Sequence, residues 1–124
     1  RTELEQILMN LVVNARDAMG RKPGRIEISC AMAHVSNEIP AQVGGPVRPG
    51  NYAKICVSDN GPGIGSEKLS SLFEPFYSSK QDPARFGLGL YSVRTILESR
   101  GGHLAVLSKP GDTCFEIYFE PVEL

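Results

Sequence analysis

From Thr2 to Met19 the chain keeps one period. Leu4, Leu8, Leu11, Ala15 and Ala18, with Ile7 and Val12 beside them, recur at the spacing of an amphipathic helix. A second line along the same segment, Glu3, Asn10, Asn14 and Asp17, is polar. This pattern constrains the fold more than any other, because an apolar helical face has to be covered by a second layer. The polar line, by contrast, need not face bulk water. Asparagine is a mediocre helix former that competes for backbone hydrogen bonds, and residues four apart share one helical face. Asn10 and Asn14 therefore predict that something uses their amides.

The rest of the chain supplies the covering layer. Ile26, Ile28, Cys30 and Met32 alternate with Glu27, Ser29 and Ala31 as in a half-buried strand. Residues 34–50 hold three prolines and three glycines and read as a surface excursion. A second strand has Ala53, Ile55 and Val57 on one face and runs into "SDNGPGIG". A short helix is expected from Ser66 to Phe73, and another from near Gly89 through Leu90, Val93, Ile96 and Leu97 to a Gly101-Gly102 stop. The segments "HLAVLS" and "TCFEIYF" close the chain as strands, the second with Phe115, Ile117 and Phe119 on one face. This order predicts an α+β sandwich, with helices packed on one face of a mixed, mainly antiparallel sheet.

At 124 residues the chain is one small domain, and folding could bury roughly two-thirds of its unfolded surface. A net charge of -1 leaves no basic footprint for nucleic acid or a membrane surface. The three cysteines, Cys30, Cys56 and Cys114, form no CxxC pair and no zinc-spaced cluster with histidine. They read as buried free thiols of a reducing, cytoplasmic compartment. No apolar run approaches a membrane span. Opening without Met and already in helical pattern, the chain reads as a fragment of a longer protein.

Two glycine-rich segments carry chemistry. "DNGPGIG" sets Asp59 at a strand end before Gly61, Gly63 and Gly65, whose freedom of φ lets a flat ligand approach closely. "GLGL" opens a helix, where free N–H groups attract phosphate. It lacks the Lys-Ser/Thr of a P-loop and does not follow a strand, as a dinucleotide-binding fingerprint would. Each is weak alone; their order is specific. Asn-x-x-x-Asn-Ala on a helix, D-x-G-x-G after a strand, "FEPFYSSK", then G-x-G at a helix start resembles the four boxes of the GHKL superfamily. "NLVVNARDAM", "VSDNGPGI", "LFEPFYSSK", "GLGLYSV" and "GGHLAVLSKPG" are similar to the catalytic, ATP-binding domain of bacterial sensor histidine kinases, over nearly the whole chain from Glu5 to Phe119.

The resemblance implies a Bergerat-type two-layer fold over residues 1–124 that binds ATP and Mg2+. Asn14 matches the family's magnesium ligand, and an amide oxygen is a suitable hard donor. Asn10 stands where ATP-hydrolysing relatives carry a glutamate base, and an amide cannot accept a proton at neutral pH. Asp59 matches the carboxylate that accepts the adenine exocyclic amine, with Gly61 and Gly63 beneath the ring. Gly87 and Gly89 match the glycines at the phosphates. Asp17, Ile64, Leu88 and Leu90 complete the nucleotide-contacting set with Phe76 and Lys80 of the lid. Phe73, Phe76 and Tyr77 belong to the lid's hinge, with hydrophobic packing as their role. Lys80 is either a phosphate partner or a solvated lysine. His34, placed in the surface excursion, and His103, at a strand start, lack the phosphoacceptor context and read as structural.

The acceptor histidine is accordingly expected on dimerisation helices outside this chain, in a homodimer that serves a response regulator and is cytoplasmic or anchored by other segments. No nucleic-acid or direct membrane partner is expected. A nucleotide-binding interaction module or pseudokinase without phosphotransfer, and an anti-sigma-like serine kinase, share the same boxes.

One stretch departs from the family pattern. In "PARFGLGL", Pro83 and Arg85 replace glycines and Phe86 replaces threonine. Proline fixes φ and removes a donor, which stiffens the lid. Arg85 is expected to supply a cation to the β- or γ-phosphate in place of the lost glycine amides. Arg85→Ala should then lower both nucleotide affinity and phosphotransfer rate; unchanged values for both would leave Arg85 in solvent.

Overall fold

A computed structural model of the chain describes residues 2–19, 24–61, 63, 73 and 89–120. Two helices, α1 (Thr2–Met19) and α2 (Gly89–Arg100), lie with four strands, β1 (Ile26–Val35), β2 (Gly50–Asp59), β3 (His103–Lys109) and β4 (Asp112–Phe119). The sheet order is β1-β2-β4-β3, and every neighbouring pair is antiparallel. Both helices pack on one face, so the α+β two-layer expectation holds.

Period-2 alternation sends odd-numbered residues of β2 and β4 to the helical side. Ile55, Val57, Phe115 and Ile117 join Leu104 and Val106 of β3 in one core with Ile7, Leu11, Leu90, Val93 and Leu97. The most deeply buried line of α1 is Ile7, Leu11 and Ala15, whereas Leu4 is 36% exposed. The helix is thus turned slightly from the Leu4–Leu8 line expected from spacing. α2 ends as expected: Gly101 takes a φ of 70°, and Gly102 N–H donates to the Leu97 carbonyl at 2.9 Å, a closure that satisfies an orphan carbonyl. Phe73 is buried edge-on against Phe115; the rest of the expected Ser66–Phe73 helix lies outside the described residues.

Expectations for β1 and the segment after it change. β1 continues to Val35, so His34 belongs to this strand and not to the excursion; its Nδ1 is 2.8 Å from Asn51 Oδ1 on β2. β1 is an edge strand largely beyond the reach of the helices, and its apolar row stays open, with Ile28 49% and Met32 66% exposed. Residues 36–49 are no simple surface excursion. They bury Val43 and Val47 and reach the open edge of β3, where Val43 and Leu104 exchange backbone hydrogen bonds at 3.1 and 3.2 Å. Gln42 Oε1 accepts the next free edge donor, Val106 N–H, at 2.7 Å. That covering is how a sheet edge is protected from pairing with another chain.

The face away from the helices carries a second cluster, Val35, Val47, Tyr52 and Tyr118. Beside it Lys54 Nζ lies 3.1 Å from Glu116 Oε2, and the Tyr118 hydroxyl donates to Glu116 Oε1 at 2.9 Å. Burial alone would lower the Lys54 pKa, but the hydrogen bond and charge of Glu116 carry it above the usual value. The cysteines are not buried thiols: Cys30 is exposed, and Cys56 and Cys114 are half-buried. Partial burial, then the adjacent Cys56, push the Cys114 thiol up to about 12, so at neutral pH it is a poor nucleophile.

Truncating Leu97, fully enclosed between helix and sheet, should cost about 2–5 kcal/mol in chemical denaturation. Met32→Ala, on the open face of β1, should fall within about 0.5 kcal/mol of the wild type.

Candidate functional site

β2 delivers Asp59 to the end of a central strand, on the helical side, where it is only 8% exposed. Its partner across the sheet is Thr113 of β4, also buried, whose hydroxyl is 3.1 Å from that of Ser108. Burial raises the Asp59 pKa above its ordinary 3.8; a backbone hydrogen bond from Gly61 N–H, at 2.9 Å, partly offsets this, and the charge of Asp112 adds to it. The sign matters. A carboxylate whose pKa is raised on folding removes stability as pH rises from the unfolded value through the folded one, the reverse of a salt-bridged acid. Asp59 is held here against a stability cost.

The loop after Asp59 is fixed from two sides. Asn60 Oδ1 accepts Arg25 N–H at 2.7 Å, and Gly111 N–H, in the β3–β4 turn, donates to Gly61 O at 2.9 Å. A Cβ on Gly61 would meet Asp59 Oδ1 at 2.9 Å and Met19 Cγ at 3.0 Å, so the last turn of α1 reaches this floor. Gly63 has a φ of 89°, and a Cβ there would come within 2.8 Å of the Lys109 carbonyl. Both glycines are therefore required by close packing.

α1 forms the wall. Asn10, Asn14 and Asp17 are partly exposed along one side of it, on the stripe that begins at Glu3. Glu3 pairs with Arg100, whose Nε donates to Glu3 Oε1 at 2.6 Å, so the start of α1 meets the end of α2. Eleven residues on from Glu3 stands Asn14, and eleven back from Arg100 stands Gly89; each step covers roughly 16 Å of helix. The polar stripe thus runs toward the level of the N-terminus of α2, where Gly89 opens the helix and Leu90 is buried in the core. Unpaired N–H groups at such a terminus attract anions, and an amide oxygen such as that of Asn14 is a hard donor of the kind that suits a magnesium ion.

Asp59, Gly61, Gly63 and the end of α1 are therefore brought together, with Asn10, Asn14, Asp17, Gly89 and Leu90 on the flanking helices. Ile64, Phe76, Lys80, Arg85, Gly87 and Leu88, with Tyr77, Pro83 and Phe86, lie outside the described residues. His103, whose Nδ1 is 2.9 Å from Gly45 O, ties β3 to the 36–49 loop, matching its structural reading. Thr113 and Ser108 were not singled out from sequence. Their only signal is register, which an isolated "GDTC" does not reveal.

Because Gly63 combines a left-handed backbone with a steric clash, Gly63→Ala should destabilise the fold by about 1–3 kcal/mol. Gly111→Ala, at a φ of 85° but with open space where the Cβ would stand, should cost only the backbone part, about 1 kcal/mol. Thermal unfolding of the pair separates the two contributions.

This architecture has known counterparts. Residues 1–123 match the family described as "Histidine kinase-, DNA gyrase B-, and HSP90-like ATPase". The C4-dicarboxylate transport sensor protein DctB of Rhizobium meliloti is 36% identical over 118 residues, which are 94% of this chain and 16% of that protein. The sensory histidine kinase/phosphatase NtrB of Klebsiella oxytoca is 35% identical over 116 residues, 94% of this chain and 31% of that protein. The chain thus spans less than a third of either relative. Among solved structures, the catalytic domain of the histidine kinase ThkA superposes with a TM-score of 0.70 at 27% identity, covering 96% of this chain and 66% of that one. With the helix-backed antiparallel sheet and the buried acid at its rim, these likenesses establish that the chain belongs to the histidine kinase-, DNA gyrase B- and HSP90-like ATPase family and is similar within it to sensor histidine kinase catalytic domains.

Proposed function

We propose that this chain binds Mg–ATP and donates the γ-phosphate to a histidine on a dimerisation helix outside it, within a homodimeric two-component sensor that passes the phosphoryl group to a response regulator. The observation that carries this reading is the buried Asp59 carboxylate above a glycine floor. A carboxylate accepts hydrogen bonds only. It therefore selects the exocyclic amine of adenine and opposes the carbonyl that guanine presents at that place. Gly61 and Gly63 let the loop pack closely against Asp59, Met19 and Lys109, which holds the carboxylate in place.

Asn14 is the residue that would hold Mg2+, which when bound supplies positive charge to the β- and γ-phosphates. Gly87 and Gly89 would offer backbone donors and the helix dipole of α2 to the same phosphates. Phosphoryl transfer depends on positioning and charge neutralisation more than on covalent help from the protein. Asn10 fits that economy. Lacking a proton-accepting group, it orients without activating water, which keeps the γ-phosphate for a protein acceptor. Lys80 and Arg85 are the lid cations proposed to meet the phosphates, with Phe76 packing the lid and Asp17, Ile64, Leu88 and Leu90 lining the pocket. No described helix is long and apolar enough to cross a membrane.

Calorimetric titration with a non-hydrolysable ATP analogue tests the reading. Asp59→Asn removes a charge-assisted hydrogen bond worth about 1.5–3 kcal/mol, so affinity should fall about 10- to 100-fold. Asn14→Ala should abolish the Mg2+ dependence. A folded wild-type chain that binds no analogue would overturn the proposal.

A further inference from the structure

The sheet face turned away from the nucleotide site holds a second group of chemically competent residues. Cys56 of β2 and Cys114 and Glu116 of β4 are all half-buried, and a ligand atom from each lies within 4.8 Å of the other two. Cys56 stands opposite Glu116 and Ser58 opposite Cys114, so the cysteines form a diagonal pair across the two central strands. We propose that Cys56, Cys114 and Glu116 form a binding site for a thiophilic divalent cation of the zinc class, with its fourth position open to water.

The donors suit such an ion. Two thiolates and a carboxylate are a zinc-type set, whereas Mg2+ and Ca2+ prefer oxygen alone. With Zn–S near about 2.3 Å and Zn–O near about 2.1 Å, a tetrahedral ion holds its ligand atoms roughly 3.5 to 3.8 Å apart. Closing to that spacing from 4.8 Å needs side-chain adjustment of about an ångström. Glu116 is already oriented, since the Tyr118 hydroxyl donates to Oε1 at 2.9 Å and Lys54 Nζ lies 3.1 Å from Oε2. Partners of that kind fix a ligating group, and a carboxylate keeps further lone pairs for an ion. Charge closes as well: two thiolates and one carboxylate are balanced by a divalent ion together with Lys54.

A disulfide fits the same pair less well. Diagonal neighbours on adjacent strands have Cα atoms roughly 7 to 8 Å apart, beyond the usual disulfide limit of about 6.8 Å. Linking them would require the two central strands to move. A bound ion bridges the longer span and would join β2 to β4 just behind Asp59 and Thr113, independently of what occupies the nucleotide site.

Co2+ added to the reduced chain serves as the spectroscopic probe. The expected result is thiolate-to-cobalt charge-transfer absorption with the intense visible bands of tetrahedral coordination, saturating at one ion per chain and lost on adding Zn2+. The Cys56→Ser/Cys114→Ser double variant should lose the charge-transfer band and Cys30→Ser should keep it. Lys54→Gln should weaken binding about 10- to 100-fold. Zn2+ should also protect Cys56 and Cys114, but not Cys30, from alkylation in the wild-type chain, a readout that needs no variant to fold. No charge-transfer band, a band that survives the double variant, or alkylation of Cys56 and Cys114 that Zn2+ leaves unchanged would overturn the proposal.

Discussion

A carboxylate enclosed at the end of a central strand is unfavourable unless something holds it, and much of this domain is arranged around that constraint. Asp59 has Gly61 N–H as a hydrogen-bond donor, the end of α1 beside it and the β3–β4 turn locking its loop. Its raised pKa shows that these contacts do not fully offset desolvation. The residual cost remains available to a ligand that presents a donor. The glycines, the turn and the register of β2 with β4 thus answer one requirement, which is to hold a buried acid in place at the end of a central strand.

The two helices meet a different requirement. Ile7, Leu11, Val93 and Leu97 attach them to the sheet through ordinary apolar contact, and the Glu3–Arg100 pair marks where they meet end to end. Exposed pairs of this kind contribute little stability. The consequence is positional: with that end fixed, the polar stripe of α1 runs from there toward the level of the opening turn of α2. Apolar packing thereby sets where the polar residues stand.

Much of this was legible in the chain itself. Helical and strand periods identified α1, β2, α2, β3 and β4, because each buries one face and its pattern records that face. The same logic recognised β1 as a strand but not its exposure: its row of Ile28, Cys30 and Met32 looks half-buried, but burial depends on how far a helix reaches over the strand, and the helices cover little of this edge. It also missed the anchoring of residues 36–49, whose prolines and glycines report turns and say nothing of where the turns dock. Asp59 and its glycines were visible as a motif. Thr113 beside Asp59, and Cys56 beside Cys114, were not, because strand register is a long-range property with no local signature.

The loop over the edge of β3 has a consequence for how this domain can change over evolutionary time. A connection between two strands is ordinarily the most permissive place in a protein for gains and losses of length. Here the segment contributes Val43 and Val47 to two separate clusters, and its backbone and Gln42 occupy hydrogen-bonding groups of a strand more than fifty positions further along the chain. A deletion within it would uncover both an apolar pocket and a row of free amides. This stretch is constrained like a structural element, and its length is held by contacts at both the core and the sheet edge.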